Sequence, residues 1–239
     1  MHAQTVGQKV LHVAAAADLQ PVMPKLAEAY EHATGVKVVA SFGSSATLTQ
    51  QITNGDPQDL FLSADFSHPE DLVAHGLADD KAPVPYATGV LVLWARKDSP
   101  AQPLSLDSLT KATVTKIAVA NDQHAPYGMA ATAALKSLHL TEAVAGKLVV
   151  AENIAQTAQF AESGNAQAGL ISLTIASSPH YQEVGTFVRL PDGIYPPIRQ
   201  CGVVVKSSKN LSLAHDFLNW LTSPDIQKNL HSFGLEPAH

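Results

Sequence analysis

Apolar runs of strand length alternate with segments of 3.6-residue periodicity along almost the whole chain. That alternation restricts it to an α/β class. The runs that read as strands are 10–15, 37–42, 59–63, 89–95, 116–120, 148–152, 168–173 and 200–206. Between them, Leu19, Val22, Met23, Leu26, Ala27 and Tyr30 fall at helix spacing, and Gly35 is the expected stop of that helix. Further helices are expected at 47–53, 69–76, 128–138, 154–163, 211–221 and 224–233. Two strings rich in Pro and Gly, 82–89 and 195–202, are expected to be hinges through which the chain leaves one lobe, builds another and returns. With 239 residues there is room for two such lobes. Their expected extents are 10–87 with 201–239, and 88–200.

Composition removes several classes of function. A chain that is 46% hydrophobic and 15% charged is neither disordered nor a coiled coil. A net charge of −6 without any Lys/Arg-rich run argues against nucleic acid or an acidic membrane as partner. No apolar stretch reaches the roughly 20 residues that span a bilayer. The N-terminal string "MHAQTVGQKV" has no basic or apolar leader region, but "HAQ" resembles the tail of an A-x-A cleavage site before Gln4. The expectation is a mature periplasmic form whose signal peptide ended before Gln4; a native cytosolic N-terminus fits the same letters. A lone cysteine, Cys201, makes no internal disulfide.

Chemistry concentrates where strands run into helices. In "SFGSSATLTQQI" (41–52) a strand ends, Gly43 permits a tight turn, and Ser44 or Ser45 can cap the next helix or donate to a ligand oxygen. "ANDQHAPYGMAATAAL" (120–135) and "AENIAQTAQFAESG" (151–164) repeat the arrangement, the latter with Asn153 as cap and Ile154 at the first helical position. Several such junctions can hold one anion through helix amides without a basic side chain. "VAAAADLQPVMPKL" (13–26) is a fourth, and it carries an acid, Asp18.

Catalytic motifs are absent: no HExxH, G-x-S-x-G, Walker A or G-x-G-x-x-G. His12, His32, His75, His215 and His231 read as surface or helix-edge residues, and His124 stands beside a site junction. The pair Asp79–Asp80 and the "DPQD" turn read as solvated. Tyr195-Pro196-Pro197 reads as a rigid crossover.

The string "SFGSSATLTQQITNGDPQDLFLSAD" resembles the periplasmic molybdate-binding proteins of ABC importers. The likeness continues through "LHVAAAADL", "AYEHATGVKV", "TGVLVLWARKDSP", "KIAVANDQHAPYG", "AENIAQTAQF" and "FLNWLTSPDIQKNLHSFG". This resemblance implies a two-lobe type II periplasmic binding protein fold with two crossover strands and an interlobe cleft. It implies that the cleft holds a small tetrahedral oxyanion, molybdate or tungstate first, by hydroxyls and helix amides. It also implies no cofactor, and a membrane permease as partner; a ligand shuttle of this kind is expected to be a monomer. Carried over residue by residue, Ser45 supplies a hydroxyl, the stretch from Ala125 to Tyr127 an amide, and Ile154 an amide. Two positions depart from the pattern: Asp18 stands where the family has a ligand-binding serine, and Ser172 where it has a hydroxyl-donating tyrosine.

Asp18 sharpens the question of the ligand. Two like unit charges about 4 Å apart repel by ~4 kcal/mol at an effective dielectric of ~20, roughly a thousandfold in affinity. Three arrangements avoid that cost. Asp18 caps its own helix; or it accepts a hydrogen bond from a protonated, hydroxylated or organic acid ligand; or a cation, for which Arg199 is the candidate, compensates it. The rival classes are a same-scaffold binder of an organic or phosphorylated acid, a cytosolic ligand-sensing domain, and an enzyme. No nucleophile–base pair supports the last.

Overall fold

A computed structural model describes residues 9–238, so the cleavage-like string at 2–4 lies outside the described residues. β1 (Val10–Ala16) enters a 3-10 turn at Ala17–Leu19 and then α1 (Met23–Thr34). The helix expected from Leu19 thus starts four residues later. Pro24 sits at its second position, where a missing amide removes no intrahelical bond, and Pro21 stays in the turn. Gly35, left-handed at φ 74°, ends α1 as expected.

β2 (Lys37–Gly43), α2 (Ser45–Thr53), β3 (Leu60–Ser63) and α3 (Ser67–Ala74) follow, then β4 (Val84–Gly89) and β5 (Leu91–Arg96). Next come β6 (Ile117–Ala120), α4 (Pro126–Ser137), α5 (Thr141–Val144), β7 (Leu148–Ala151) and α6 (Ile154–Glu162). The chain finishes with β8 (Ala168–Ser172), α7 (Leu173–Ala176), α8 (Pro179–Val184), β9 (Gly185–Arg189), β10 (Ile198–Val204), α9 (Leu211–Leu221), α10 (Pro224–Asn229) and β11 (Leu235–Glu236).

The strands form two sheets, ordered β11-β4-β10-β3-β1-β2 and β7-β6-β8-β5-β9. The chain passes from the first to the second at Val90 and returns between Arg189 and Ile198. One expected hinge is therefore corrected, because most of 82–89 is strand β4. Its Pro85 faces Cys201, where the β4–β10 register shifts between Gln200 and Cys201; a residue without an amide is tolerated at such an irregularity. The second string is a crossover only up to Pro197, and Tyr195 accepts the Leu91 amide at 3.0 Å, tying the two passages together.

β1, β2 and β3 run parallel, as do β6, β7 and β8. Each set therefore ends at one edge of its sheet, the edge where α/β folds bind ligands. The two edges touch: the Ala46 amide donates to the His124 carbonyl at 3.3 Å, and Thr47 Oγ1 to Glu152 at 3.4 Å. One apolar cluster runs across the junction, from Ala16, Ala17 and Ala64 to Leu91, Tyr127 and Ile154.

Two acidic groups expected to be solvated are instead structural ties. Asp59, the last residue of "DPQD", is 5% exposed and accepts from the His12 amide (2.7 Å) and Ser208 Oγ (2.6 Å). Asp80 accepts the Val204 amide at 2.6 Å, and His215 lies 2.8 Å from Asp79, fastening α9 to the loop before β4.

Gly128 lets α4 lie against the end of β6. A Cβ there would stand 2.5 Å from the Ala120 carbonyl oxygen and 2.7 Å from the Asn121 carbonyl carbon, both backbone atoms. Overpacking of this kind costs ~1–3 kcal/mol, so Gly128→Ala should lower the melting temperature by about 5 °C. Thermal unfolding followed by circular dichroism checks it, and an unchanged midpoint would contradict the packing.

Candidate functional site

The turn after β1 and the starts of α2, α4 and α6 converge on one small pocket, lined by Asp18, Ser44, Ser45, Ala125, Tyr127, Asn153 and Ile154 among others. No Lys, Arg or His lines it. What the pocket offers an anion is neutral donors: hydroxyls, and the first amides of helices, which have no intrahelical acceptor.

Ser44 is the N-cap of α2, its Oγ accepting from the Thr47 amide at 3.1 Å. Ser45 follows at the first helical position, fully buried, and its Oγ accepts the Ala64 amide at 3.2 Å. Its hydroxyl proton is then left to donate into the pocket. At α4 the Ala125 amide is committed to the Asn121 carbonyl (2.9 Å) and Pro126 has none, so the first amide available for a ligand belongs to Tyr127. At α6 Asn153 caps the helix by accepting from Gln156, which leaves the Ile154 amide at the first position without an intrahelical acceptor.

Asp18 is 0% exposed, and neither capping nor a partner cation accounts for it. It does not cap a helix. Instead Oδ2 accepts from Gln200 Nε2 at 2.6 Å and from the Tyr127 hydroxyl at 3.1 Å, and Gln200 Nε2 lies 3.3 Å from that hydroxyl. Oδ1 has no partner. Burial pushes the carboxyl up to about 6, against the lowering effect of the bonds from Gln200 and Tyr127. The same burial, reinforced by Asp18, holds the Tyr127 and Tyr86 phenols well above the ordinary tyrosine value.

Arg199 does not join this group. It is exposed on β10 and stacks over Phe66 at 5.1 Å, on the wall of a separate, larger and mostly apolar cleft. Strand alternation sends its neighbour Gln200 inward in its place. Ser172 is buried but caps α7 and bonds Thr174 Oγ1 at 2.7 Å, and Thr174 in turn donates to the Asp18 carbonyl at 2.7 Å. Its part is to hold the Asp18 backbone. His124 contributes its carbonyl to the contact between the lobes, with its side chain exposed.

Gln200 and the Tyr127 hydroxyl were not expected from the sequence. Gly89 is their structural signature: a Cβ there would collide with the Tyr127 hydroxyl and come within 2.9 Å of Gln200 Nε2. Among the described residues no cluster of three His, Cys, Asp or Glu is placed to hold a metal, and no helix is long and apolar enough to cross a membrane.

Comparison with known proteins gives consistent relatives. A family model described as bacterial extracellular solute-binding protein matches residues 11–236. The molybdate-binding protein ModA of Azotobacter vinelandii is 35% identical over 228 residues, covering 94% of this chain and 88% of its own. The solved periplasmic molybdate-binding protein of Azotobacter vinelandii superposes with a TM-score of 0.84 at 31% identity, over 96% of this chain and all of that one. The sulfate-binding protein SubI of Mycobacterium tuberculosis, at 17% identity, shares the fold with a TM-score of 0.76 over 96% of this chain and 87% of its own. The architecture is the two-lobe type II periplasmic binding protein fold, as expected from the sequence.

The raised carboxyl makes stability depend on pH. The folded state keeps the Asp18 proton up to about pH 6, whereas the unfolded chain releases it near 3.8. Between those values the folded state binds more protons, so stability is lost as pH rises, by about 3 kcal/mol in all. Asp18→Asn removes this loss. Its stability advantage over the wild type in urea unfolding should be small at pH 4 and reach its full size by pH 7; an advantage independent of pH would refute the assignment.

Proposed function

The chain belongs to the family of bacterial extracellular solute-binding proteins, and from that premise we propose that it is the substrate-binding component of an ABC importer for molybdate or tungstate. The observation that carries this reading is the pocket of Asp18, Ser45, Tyr127 and Ile154, which offers hydroxyls and helix amides and no cation. Ser45 donates its hydroxyl, and the amides of Ser45, Tyr127 and Ile154 donate from three helix starts. Three converging N-termini, each worth roughly half a positive charge, match a dianion without binding it irreversibly.

The two lobes, 10–87 with 201–239 and 88–200, close on the ligand and present it to a membrane permease. The protein acts as a monomer on the periplasmic side, free or lipid-anchored. It performs no catalysis. A same-scaffold binder of an organic or phosphorylated acid is the second reading, favoured by the free Oδ1 of Asp18.

Titration calorimetry with molybdate, tungstate, sulfate, phosphate and small organic acids distinguishes the two. Molybdate and tungstate should bind most tightly, and Ser45→Ala should weaken them about tenfold, the worth of one hydrogen bond to a charged group. Heat from an organic or phosphorylated acid, with none from either metal oxyanion, would overturn the first reading and leave the transport role.

A further inference from the structure

We propose that the bound complex holds one proton between a ligand oxygen and Oδ1 of Asp18, so that oxyanion binding takes up one proton from solution. This rests on the oxyanion reading above and adds to it the protonation state of the site.

The hydrogen-bond geometry assigns the proton. Oδ2 already accepts from Gln200 Nε2 at 2.6 Å and from the Tyr127 hydroxyl at 3.1 Å. Both are donors to it, so a carboxyl proton belongs on the other oxygen. That oxygen, Oδ1, is buried without a partner on a residue that lines the pocket. Protonated, it is a hydroxyl at the strand-to-helix junction, able to donate one bond to an anion. Ionised, it accepts one bond from a hydroxyl on the ligand. These descriptions concern the same complex. A carboxylate, a dianion and one proton combine to a total charge of −2 in both, and they differ only in which oxygen lies closer to the hydrogen.

No cationic side chain lines the pocket to offset the acid. From α4 the titratable group facing Asp18 is Tyr127, and from β4 it is Tyr86. β10 presents the neutral Gln200, with Cys201 beside Tyr86, and Asp65 after β3 also acts on Tyr86, adding only negative charge. Thr174 of α7 occupies the Asp18 carbonyl at 2.7 Å. The starts of α2 and α6 bring serine hydroxyls, an asparagine and amides. Without the proton, a dianion beside Asp18 meets a like charge that no side-chain cation offsets. Burial already pushes the carboxyl up to about 6, and an anion held against Oδ1 raises it further.

Two consequences follow. Affinity for a dianion falls toward tenfold per pH unit above about pH 6. A weakly basic oxyanion such as sulfate, which shares a proton poorly, is held less well than molybdate or tungstate.

The test is calorimetric titration of sodium molybdate into the wild-type chain and into Asp18→Asn, between pH 6.5 and 8.5, in buffers of different ionisation enthalpy. The wild type should take up one proton per ligand, with Kd rising about tenfold per pH unit. Asparagine presents a permanent N–H donor to the pocket. Its Kd should be flat and, at pH 8.5, about 300-fold below that of the wild type. Wild-type binding with a flat Kd and no buffer dependence overturns the shared proton and leaves the oxyanion reading standing. Folded protein, wild type and variant, that takes no molybdate at any pH overturns both.

Discussion

One buried carboxylate oxygen ties together the two lobes of this molecule. Asp18 Oδ2 sits in the turn after β1 and accepts from Gln200 on β10 of the same sheet and from Tyr127 on α4 of the other lobe. Gly89, where the chain is about to leave the first sheet, has room only for a hydrogen because those two side chains fill the space beside it. Crossover, acid and pocket therefore occupy one volume.

The pocket binds charge by a different logic from an ion pair. Buried ionised groups are costly unless partnered, and a guanidinium facing Asp18 would have given the strongest partner. Here the carboxylate receives one amide and one phenol. Those bonds lower its proton affinity only in part, and burial dominates. The site thus keeps a group that changes charge near neutral pH inside a wall of donors that do not. A serine at the same junction would donate at every pH; the acid donates only when it carries a proton.

Most of the architecture was legible because periodicity is local. β1, β2, α6 and α9 fall within a residue of the sequence reading, and so does the stop at Gly35. The misses have specific causes. β4 hid behind Pro83 and Pro85, which read as loop signals although the ladder is irregular where Pro85 lies. β11 and the one-turn helices α5 and α7 are too short to show a period, and β9 is an edge strand whose side chains beyond Gly185 are half-buried or exposed, so no apolar run marks it. Asp59 and Asp80 read as solvated because their partners, Ser208, the His12 amide and the Val204 amide, are distant in sequence. In the site, the serines and helix starts were visible as junctions. The Tyr127 hydroxyl and Gln200 were not, since nothing local marks a side chain that reaches 109 or 182 residues back to its partner.

Arg199 shows how close the sequence came, and why one residue matters in a strand. The string "IRQC" offers a cation and an amide at adjacent positions of β10, and successive side chains point to opposite faces. The cation faces Phe66 and solvent, and the amide faces Asp18. Had the register placed Arg199 inward, the acid would have a fixed countercharge and its carboxyl would be held ionised. With Gln200 inward, Asp18 Oδ1 and Gln200 Oε1 are both left buried without a partner, and burial pushes the carboxyl up to about 6.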